Sequence, residues 1–441
     1  MTEAVEKKLG KYIIQRELGR GATSRVLLGH DPFADKDVAI KVMFDEPDID
    51  EDTRRMRERA FVVEAALVGT LNHPHICAIY DAVTEAKYRY IVMEYVGGGT
   101  LEKHSEPDSL LPVFRIIEIA FKCARALDIA VQSGVIHRDI KPANIMLDDQ
   151  GDIRITDFGA AMKIDADPQA TQVTTGVQSE EEGIVGSPAY MSPEQILGEP
   201  LNHQTDIYSL GMVMYRLLTG RMPYTGETAM ELAVAVVNAT PHPPSAHRPE
   251  IPELVEQIVL RALEKDKSRR YPKWMDFCRD LSQAFELLKS EEHDTTDTEK
   301  FEALQTLPFF GDFEDAALWE VLKVSTWHEI EEGTAILREG EEGDSIFVLV
   351  DGVLEVTVQG KPVGQIRRGD CFGEMSYFGS KAAKTRSSTV TAKSDCDAIE
   401  ISAPGMKGAP DRVQAAFVNA VMRVLVARIE QANQRMVLMS A

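Results

Sequence analysis

Apolar residues recur along residues 12–18, and the short apolar runs 38–41 and 90–96 carry the same signature of strands packed on one face. Between them, Phe61, Ala65, Val68 and Leu71 fall three or four apart, the spacing of one helical face. The acidic stretch 45–52 reads as a surface loop, and a second helix is expected over about 111–133. Ile145-Met146-Leu147 and Ile153-Arg154-Ile155-Thr156 flank Asp148-Asp149-Gln150-Gly151, two apolar runs around a turn, which predicts a hairpin. Residues 159–186 break the pattern. They are rich in Thr, Gln and acid, end in Ser179-Glu180-Glu181-Glu182, and are too polar to pack.

A second break, KSEEHDTTDTEK at 289–300, is charged and nearly free of apolar residues, so a linker is expected there. A helical pattern over 301–324 follows. Short strands at 335–337, 345–350, 353–358 and 363–366 come next, punctuated by Gly333, Gly340, Gly343, Gly352 and Gly360, which predicts a small β-roll or jelly roll. The chain ends in a long helix over about 411–439. Its apolar strip of Val413, Phe417, Val421, Val424, Ile429 and Met436 is broken by Arg428. Three roles are open to that strip: closing over a ligand, packing on the first domain, or pairing with a second copy of the chain.

Chemistry gathers around the predicted hairpin. Turns before its first strand and after its second bring Asp139, Asn144 and Asp157 to one end, where two carboxylates and an amide can bind a divalent metal and accept a proton. Lys41 sits in an apolar strand, which is costly unless an acid or a ligand phosphate pairs with it. Gly19-Arg20-Gly21-Ala22-Thr23-Ser24-Arg25-Val26 is a glycine-bearing turn whose backbone N–H groups can approach phosphates, although Ser24 stands where a third glycine is usual.

HRDIKPANIMLDDQGDIRITDFG, residues 137–159, closely resembles the catalytic and metal loops of the eukaryotic-type protein kinases, and the resemblance extends over about 12–288. It implies a bilobal kinase fold. Asp139 then takes the proton of the substrate hydroxyl, Lys141 sits beside the transferring phosphoryl group, and Asn144 and Asp157 hold magnesium. ATP is expected against Gly19, Gly21, Val26, Ala39 and Lys41, with Met93 guarding the adenine pocket and the backbone of Glu94 to Val96 at the adenine edge. The acid paired with Lys41 is expected to be Glu64, at the family's distance before His73-Pro74-His75-Ile76, with Glu58 the competitor. Lys141, two residues after the aspartate, resembles Ser/Thr kinases. Glu194 is expected to pair with Arg270, and Asp206 to brace the catalytic loop. Arg138 is the family's acceptor for an activation-loop phosphate, with Thr171, Thr174, Thr175 and Ser179 as the phosphorylation candidates.

The second half resembles the cyclic-nucleotide-binding domains through Phe372-Gly373-Glu374-Met375-Ser376 and Arg386-Ser387-Ser388-Thr389-Val390. The resemblance implies Arg386 and Ser387 on a cyclic phosphate, the Gly373 backbone beside them, and Glu374 on the ribose 2′-OH. Thr389 or a residue of the last helix would meet the base. Cyclic AMP and cyclic GMP both remain open, and residues 378–385 form a longer insertion than in the best-known members.

Composition adds bounds. A hydrophobic fraction of 44% and a charged fraction of 27% are those of a globular protein. A formal net charge of −23 argues against a broad nucleic-acid or anionic-membrane surface. Five scattered cysteines without CxxC spacing read as buried thiols in a reducing compartment, and neither a leader nor a membrane span is evident, so a cytoplasmic protein is expected. The expected architecture is multi-domain α+β: a kinase domain at 1–289, a linker at 290–300 and a cyclic-nucleotide-binding domain at 301–441. The expected function is phosphoryl transfer from ATP–Mg2+ to protein Ser/Thr hydroxyls under cyclic nucleotide control. A pseudokinase scaffold, or a kinase with a ligand-free interaction module, are the alternatives.

Overall fold

The structure is a computed structural model that describes residues 8–21, 24–44, 61, 65, 69–84, 89–158, 162–163, 188–288, 297–378 and 385–439. The chain divides into two compact units, Met1–Glu291 and Glu292–Ala441.

The first unit opens with a six-stranded antiparallel sheet of β1 (Lys8–Leu9), β2 (Tyr12–Arg20), β3 (Ser24–Asp31), β4 (Lys36–Met43), β5 (Ile79–Thr84) and β6 (Arg89–Glu94), in the order β1-β2-β3-β4-β6-β5. Strand alternation decides what each face does. Val38, Ile40 and Val42 of β4 join Leu27, Tyr12, Tyr90 and Val92 in an apolar core. Ala39 and Lys41 therefore point the other way. Register pairs Lys41 with Val26 on one side and with Ile91 on the other, so these residues share the opposite face.

The helical lobe is built on α1 (Val113–Gln132), α2 (Pro193–Leu197), α3 (Gln204–Thr219), α4 (Ala229–Asn238), α5 (Glu253–Ala262) and α6 (Trp274–Leu288). Fifteen residues of α3 are buried, as expected of a helix enclosed on every side. Short strands β7 (Val135–Ile136), β8 (Ile145–Leu147), β9 (Ile153–Ile155) and β10 (Met162–Lys163) lie between α1 and α2. β8 and β9 form the expected hairpin, with Ile145 opposite Ile155 and Leu147 opposite Ile153. Asp148 closes its turn by accepting from the N–H groups of Gln150 and Asp152. The Gly97-Gly98-Gly99 run passes against this hairpin: a Cβ on Gly98 would collide with the carbonyls of Leu147 and Asp148. Close approach is what requires glycine there.

The second unit begins with α7 (Asp297–Thr306), which starts ahead of the expected position 301, and α8 (Asp315–Lys323). Strands β11 (Ser325–Ile330), β12 (Ala335–Leu337), β13 (Ser345–Asp351), β14 (Val353–Val358), β15 (Lys361–Arg367) and β16 (Cys371–Phe372) follow. Helix α9 (Glu374–Tyr377), β17 (Thr389–Ala392), β18 (Cys396–Ser402), α10 (Ala403–Gly408) and the long α11 (Asp411–Met439) complete it. The strands form two four-stranded sheets, β11-β18-β13-β16 and β12-β17-β14-β15, as a β-roll requires. Leu337, Phe347, Leu349, Leu354, Phe372 and Val390 fill the space within it, and the Phe347 and Phe372 rings stack at 5.1 Å. Both halves are thus of the expected fold class.

Candidate active site and ligand cavity

In the first unit the polar groups converge. Lys141 Nζ lies 2.7 Å from Asp139 Oδ2, and Asn144 Nδ2 donates to the Asp139 carbonyl at 2.8 Å and to Oδ2 at 2.9 Å. Lys41 Nζ stands 2.5 Å from Asp157 Oδ1. Burial pushes the Asp157 carboxyl upward, but the Lys41 ammonium, with His137 and Lys141 beside it, outweighs this and leaves the group below the ordinary carboxylate range. Asp157 is therefore an anion at neutral pH.

The backbone here is held in an uncommon shape. Arg138 and Asp157 adopt left-handed φ values of 70° and 63°, each costing a non-glycine residue roughly 1–2 kcal/mol. Three contacts hold Arg138. Asp206 accepts from the N–H groups of His137 and Arg138, each at 2.8 Å, and Gln195 Nε2 donates to the Arg138 carbonyl at 2.9 Å. Burial raises the Asp206 carboxyl while His137 and the two N–H groups oppose it. The His137 imidazole ties the loop to the metal-binding segment. Its Nδ1 accepts from Asp139 N–H at 3.2 Å, which leaves Nε2 protonated and donating to Thr156 O at 3.1 Å. Glu194 and Arg270 form the expected buried pair at 2.8 Å, joined by Thr205.

A cavity of about 670 Å3 opens between the sheet and the helical lobe, lined among others by Gly19, Gly21, Val26, Ala39, Lys41, Met93, Glu94, Val96, Asn144 and Asp157. Asp139 and Lys141 are not in its lining and reach it through Asn144. The Glu94 carboxylate is bound by Arg154 Nε at 3.2 Å and Ala78 N–H at 3.3 Å, and its own N–H donates to Ala78 O at 2.9 Å. Arg154 stands three residues before Asp157, so this pair ties the cavity's edge to the strand that delivers Asp157.

The donor set suits magnesium. Asn144 uses its amide hydrogens on Asp139 and so presents its oxygen, and Asp157 adds a charged one. No group of three or more His, Cys, Asp or Glu among the described residues gathers as a metal cage. Magnesium bound through one carboxylate, one amide oxygen, phosphate oxygens and water fits this pair. Glu64, Glu58, Thr171, Thr174, Thr175 and Ser179 lie outside the described residues.

In the second unit Arg386 is buried. Its Nη1 donates to Ser345 O at 2.8 Å, Gly373 O at 3.2 Å and Ser376 Oγ at 2.6 Å, and Nη2 donates to Ser345 Oγ at 2.9 Å. A Cβ on Gly343 or Gly373 would run into that guanidinium. All these partners are neutral, while Glu400 and Asp344 act on it only through space. A buried cation so placed favours an anion beside it. The adjoining cavity of about 530 Å3 is lined by Gly373, Glu374, Arg386 and Ser387, with Val356, Val363, Val424 and Ala427 among its apolar walls. Such a volume matches a small-molecule site.

Two residues have partners that the sequence did not show. Glu374 is engaged by Arg428 of α11 at 2.6 Å, and Arg428 also donates to the Cys371 carbonyl. Sequence reasoning missed this role; its one signal was a charge interrupting an apolar strip. Thr389 turns away from the cavity and accepts from Glu339 N–H at 3.0 Å, while its neighbour Val390 lines it. The last helix supplies the wall that Thr389 does not.

Residues 12–281 match the family model for the protein kinase domain, and residues 327–409 match that for the cyclic nucleotide-binding domain. The serine/threonine-protein kinase PrkC of Bacillus subtilis is 37% identical over 308 residues, 69% of this chain and 45% of that protein. The serine/threonine-protein kinase PknB of Mycobacterium tuberculosis is 36% identical over 276 residues, 62% of this chain and 42% of the relative. A probable serine/threonine-protein kinase PknB of Bifidobacterium longum is 35% identical over 281 residues, 62% and 39% of the two chains. The chain thus spans under half the length of these curated relatives. With the kinase model matching more than half of the chain, and a second model matching the β-roll behind it, the chain belongs to the protein kinase family and carries a cyclic nucleotide-binding domain.

Proposed function

We propose that this chain is a cytoplasmic Ser/Thr protein kinase whose activity responds to a cyclic nucleotide bound by its second unit. The observation that supports it most is the gathering of Lys41, Asn144 and Asp157 on one cavity with Asp139 hydrogen-bonded to Asn144. Phosphoryl transfer needs positioning and charge neutralisation more than covalent participation. Lys41 holds the phosphates of ATP, and Asn144 and Asp157 present oxygens to magnesium, which supplies further neutralisation of phosphate charge. Asp139 orients the substrate hydroxyl and receives its proton, with Lys141 beside the transferring group. The five cysteines are buried thiols, which suits a reducing compartment.

Cyclic AMP or cyclic GMP enters the second cavity with its phosphate on Arg386 and its ribose on Glu374. Arg428, which holds Glu374 Oε1, then competes with that hydroxyl for the carboxylate. Activation by released inhibition is the sense of regulation we favour. Thermal-shift titration separates the parts, since a ligand stabilises the state it binds. ATP–Mg2+ and a cyclic nucleotide should each raise the melting temperature, and Arg386→Ala should abolish only the second shift. Asp139→Asn should keep the ATP shift and lose turnover by orders of magnitude. Equal turnover in wild type and Asp139→Asn would overturn the assignment of Asp139. No shift with ATP–Mg2+ would favour a scaffold.

A further inference from the structure

Helix α2 is five residues long, and a reciprocal pair builds its start. Ser192 N–H donates to Gln195 Oε1 at 3.0 Å, and Gln195 N–H donates to Ser192 Oγ at 3.4 Å. Such a capping box needs only an acceptor on residue 195, so glutamate serves it as well as glutamine. Gln195 does something further. Its Nε2 donates to the Arg138 carbonyl at 2.9 Å, across 57 positions of the chain. Ser192 N–H can only donate and the Arg138 carbonyl can only accept, so the two partners fix which way the amide faces. Gln195 and Ser192 are both buried, where bulk water does not make good a lost bond.

The Arg138 carbonyl belongs to the peptide unit whose other end is the N–H of Asp139, and a peptide unit is planar and turns as one piece. His137 Nδ1 accepts from that N–H at 3.2 Å. The plane that carries Asp139 is therefore pinned at its nitrogen from within the catalytic loop and at its oxygen from α2. Asp206 takes the N–H groups of His137 and Arg138, which belong to the two preceding units.

Taking Asp139 as the base of the kinase reading, we propose that Gln195 is a positioning residue for phosphoryl transfer. By holding the 138–139 peptide it aims the Asp139 carboxylate at the substrate hydroxyl, and it makes that aim depend on α2 being in place. The loop of Asp139 precedes the polar stretch 159–186 and α2 follows it, so one side chain ties together the segments on either side of that stretch.

The test is steady-state transfer from ATP–Mg2+ to a Ser/Thr peptide by the full chain between pH 6 and pH 9, with each variant's kcat divided by that of wild type at the same pH. Gln195→Met keeps the length and loses both side-chain bonds. Its relative kcat should fall about tenfold or more throughout, with KM for ATP little changed, since Gln195 does not line the ATP cavity. Gln195→Glu keeps the capping acceptor and loses the donor only while ionised. Its carboxyl is buried against a carbonyl oxygen, which favours the neutral acid, and a neutral carboxyl again accepts from Ser192 and donates to Arg138. Relative kcat of this variant should be low at pH 9 and climb severalfold towards pH 6, reversibly in one preparation. Well below the thermal midpoint of the variant, weakened folding does not produce that recovery. The charged groups around the bridge, His137, Asp139, Glu194, Asp206 and Arg270, are common to all three proteins, so their own titrations cancel in the ratio. Gln195→Met turning over like wild type, or Gln195→Glu no faster relative to wild type at pH 6 than at pH 9, would overturn the proposal. With Asp139→Asn inactive in the same assay, that failure belongs to Gln195 and leaves the role of Asp139 standing.

Discussion

Replacing Asp206 with asparagine should uncouple folding from turnover. The carboxylate is about 1% exposed and accepts from two backbone N–H groups at 2.8 Å. Asparagine retains one acceptor oxygen and turns an NH2 toward the other N–H. One bond to a charged acceptor, worth roughly 1.5–3 kcal/mol, is lost, and a buried donor is left unpaired. Relief from burying an anion offsets part of this, so a net loss of about 2–3 kcal/mol is expected. The catalytic consequence is separate. Arg138 is held at φ 70° by these bonds, and its left-handed shape costs roughly 1–2 kcal/mol, so the loop relaxes once a bond is gone. Asp139 is the next residue, and a displacement of about 1 Å can cost on the order of a hundredfold in rate. Urea denaturation should give the stability change, and steady-state kinetics on a Ser/Thr peptide should show kcat down roughly a hundredfold with KM for ATP little changed. Lost stability with unaltered kcat would refute the reasoning, because Asp206 would then support the lobe without positioning Asp139.

Other predictions concern single pairs. Burial, opposed by Asp152, lowers the His75 pKa from 6.5 to about 3, so the folded state refuses a proton that the unfolded chain accepts. Stability should fall as pH drops through 6.5 towards 3, by at most about 1.4 kcal/mol per pH unit, and urea titrations at pH 7 and 5 should show a shallower loss in His75→Gln. Arg154→Leu should raise KM for ATP several-fold with a smaller change in kcat, and a double-mutant cycle with Glu94→Gln should reveal coupling of about 1 kcal/mol; additive effects would deny the pair a role at the cavity's edge. Arg428→Ala frees Glu374, so cyclic nucleotide should bind roughly fivefold tighter by calorimetry if an ion pair of about 1 kcal/mol is removed. Weaker binding would instead make Arg428 a ligand contact.

Features carried by local pattern were legible in the chain. Lys41 stood out as a charge in an apolar strand, and strand alternation puts it opposite Ile40 and Val42. The β8–β9 hairpin and the β-roll followed from short apolar runs and glycine turns, because register and turn chemistry are local. What remained hidden was made by the tertiary fold. Ser345 and Gly343 lie some forty residues before the guanidinium of Arg386, and nothing near them signals that contact. Nothing near Arg154 or Arg428 in the chain names Glu94 or Glu374 as its partner. Of Thr389 and the last helix as partners for the base, strand alternation favours the helix: successive strand residues face opposite ways, and Val390 takes the cavity side. The close packing of Gly98 on the hairpin is likewise not announced by the Gly97-Gly98-Gly99 run itself.

The measurement that bears most directly on the account is phosphoryl transfer from ATP–Mg2+ to a Ser/Thr peptide, titrated with cyclic AMP and with cyclic GMP, in wild type and Arg386→Ala. The wild-type rate should rise saturably with at least one of the two, and the variant should respond flatly at a normal basal rate. A ligand shifts an equilibrium only by binding one state better than another. Cyclic nucleotide that binds wild type measurably and leaves its rate unchanged would contradict the account.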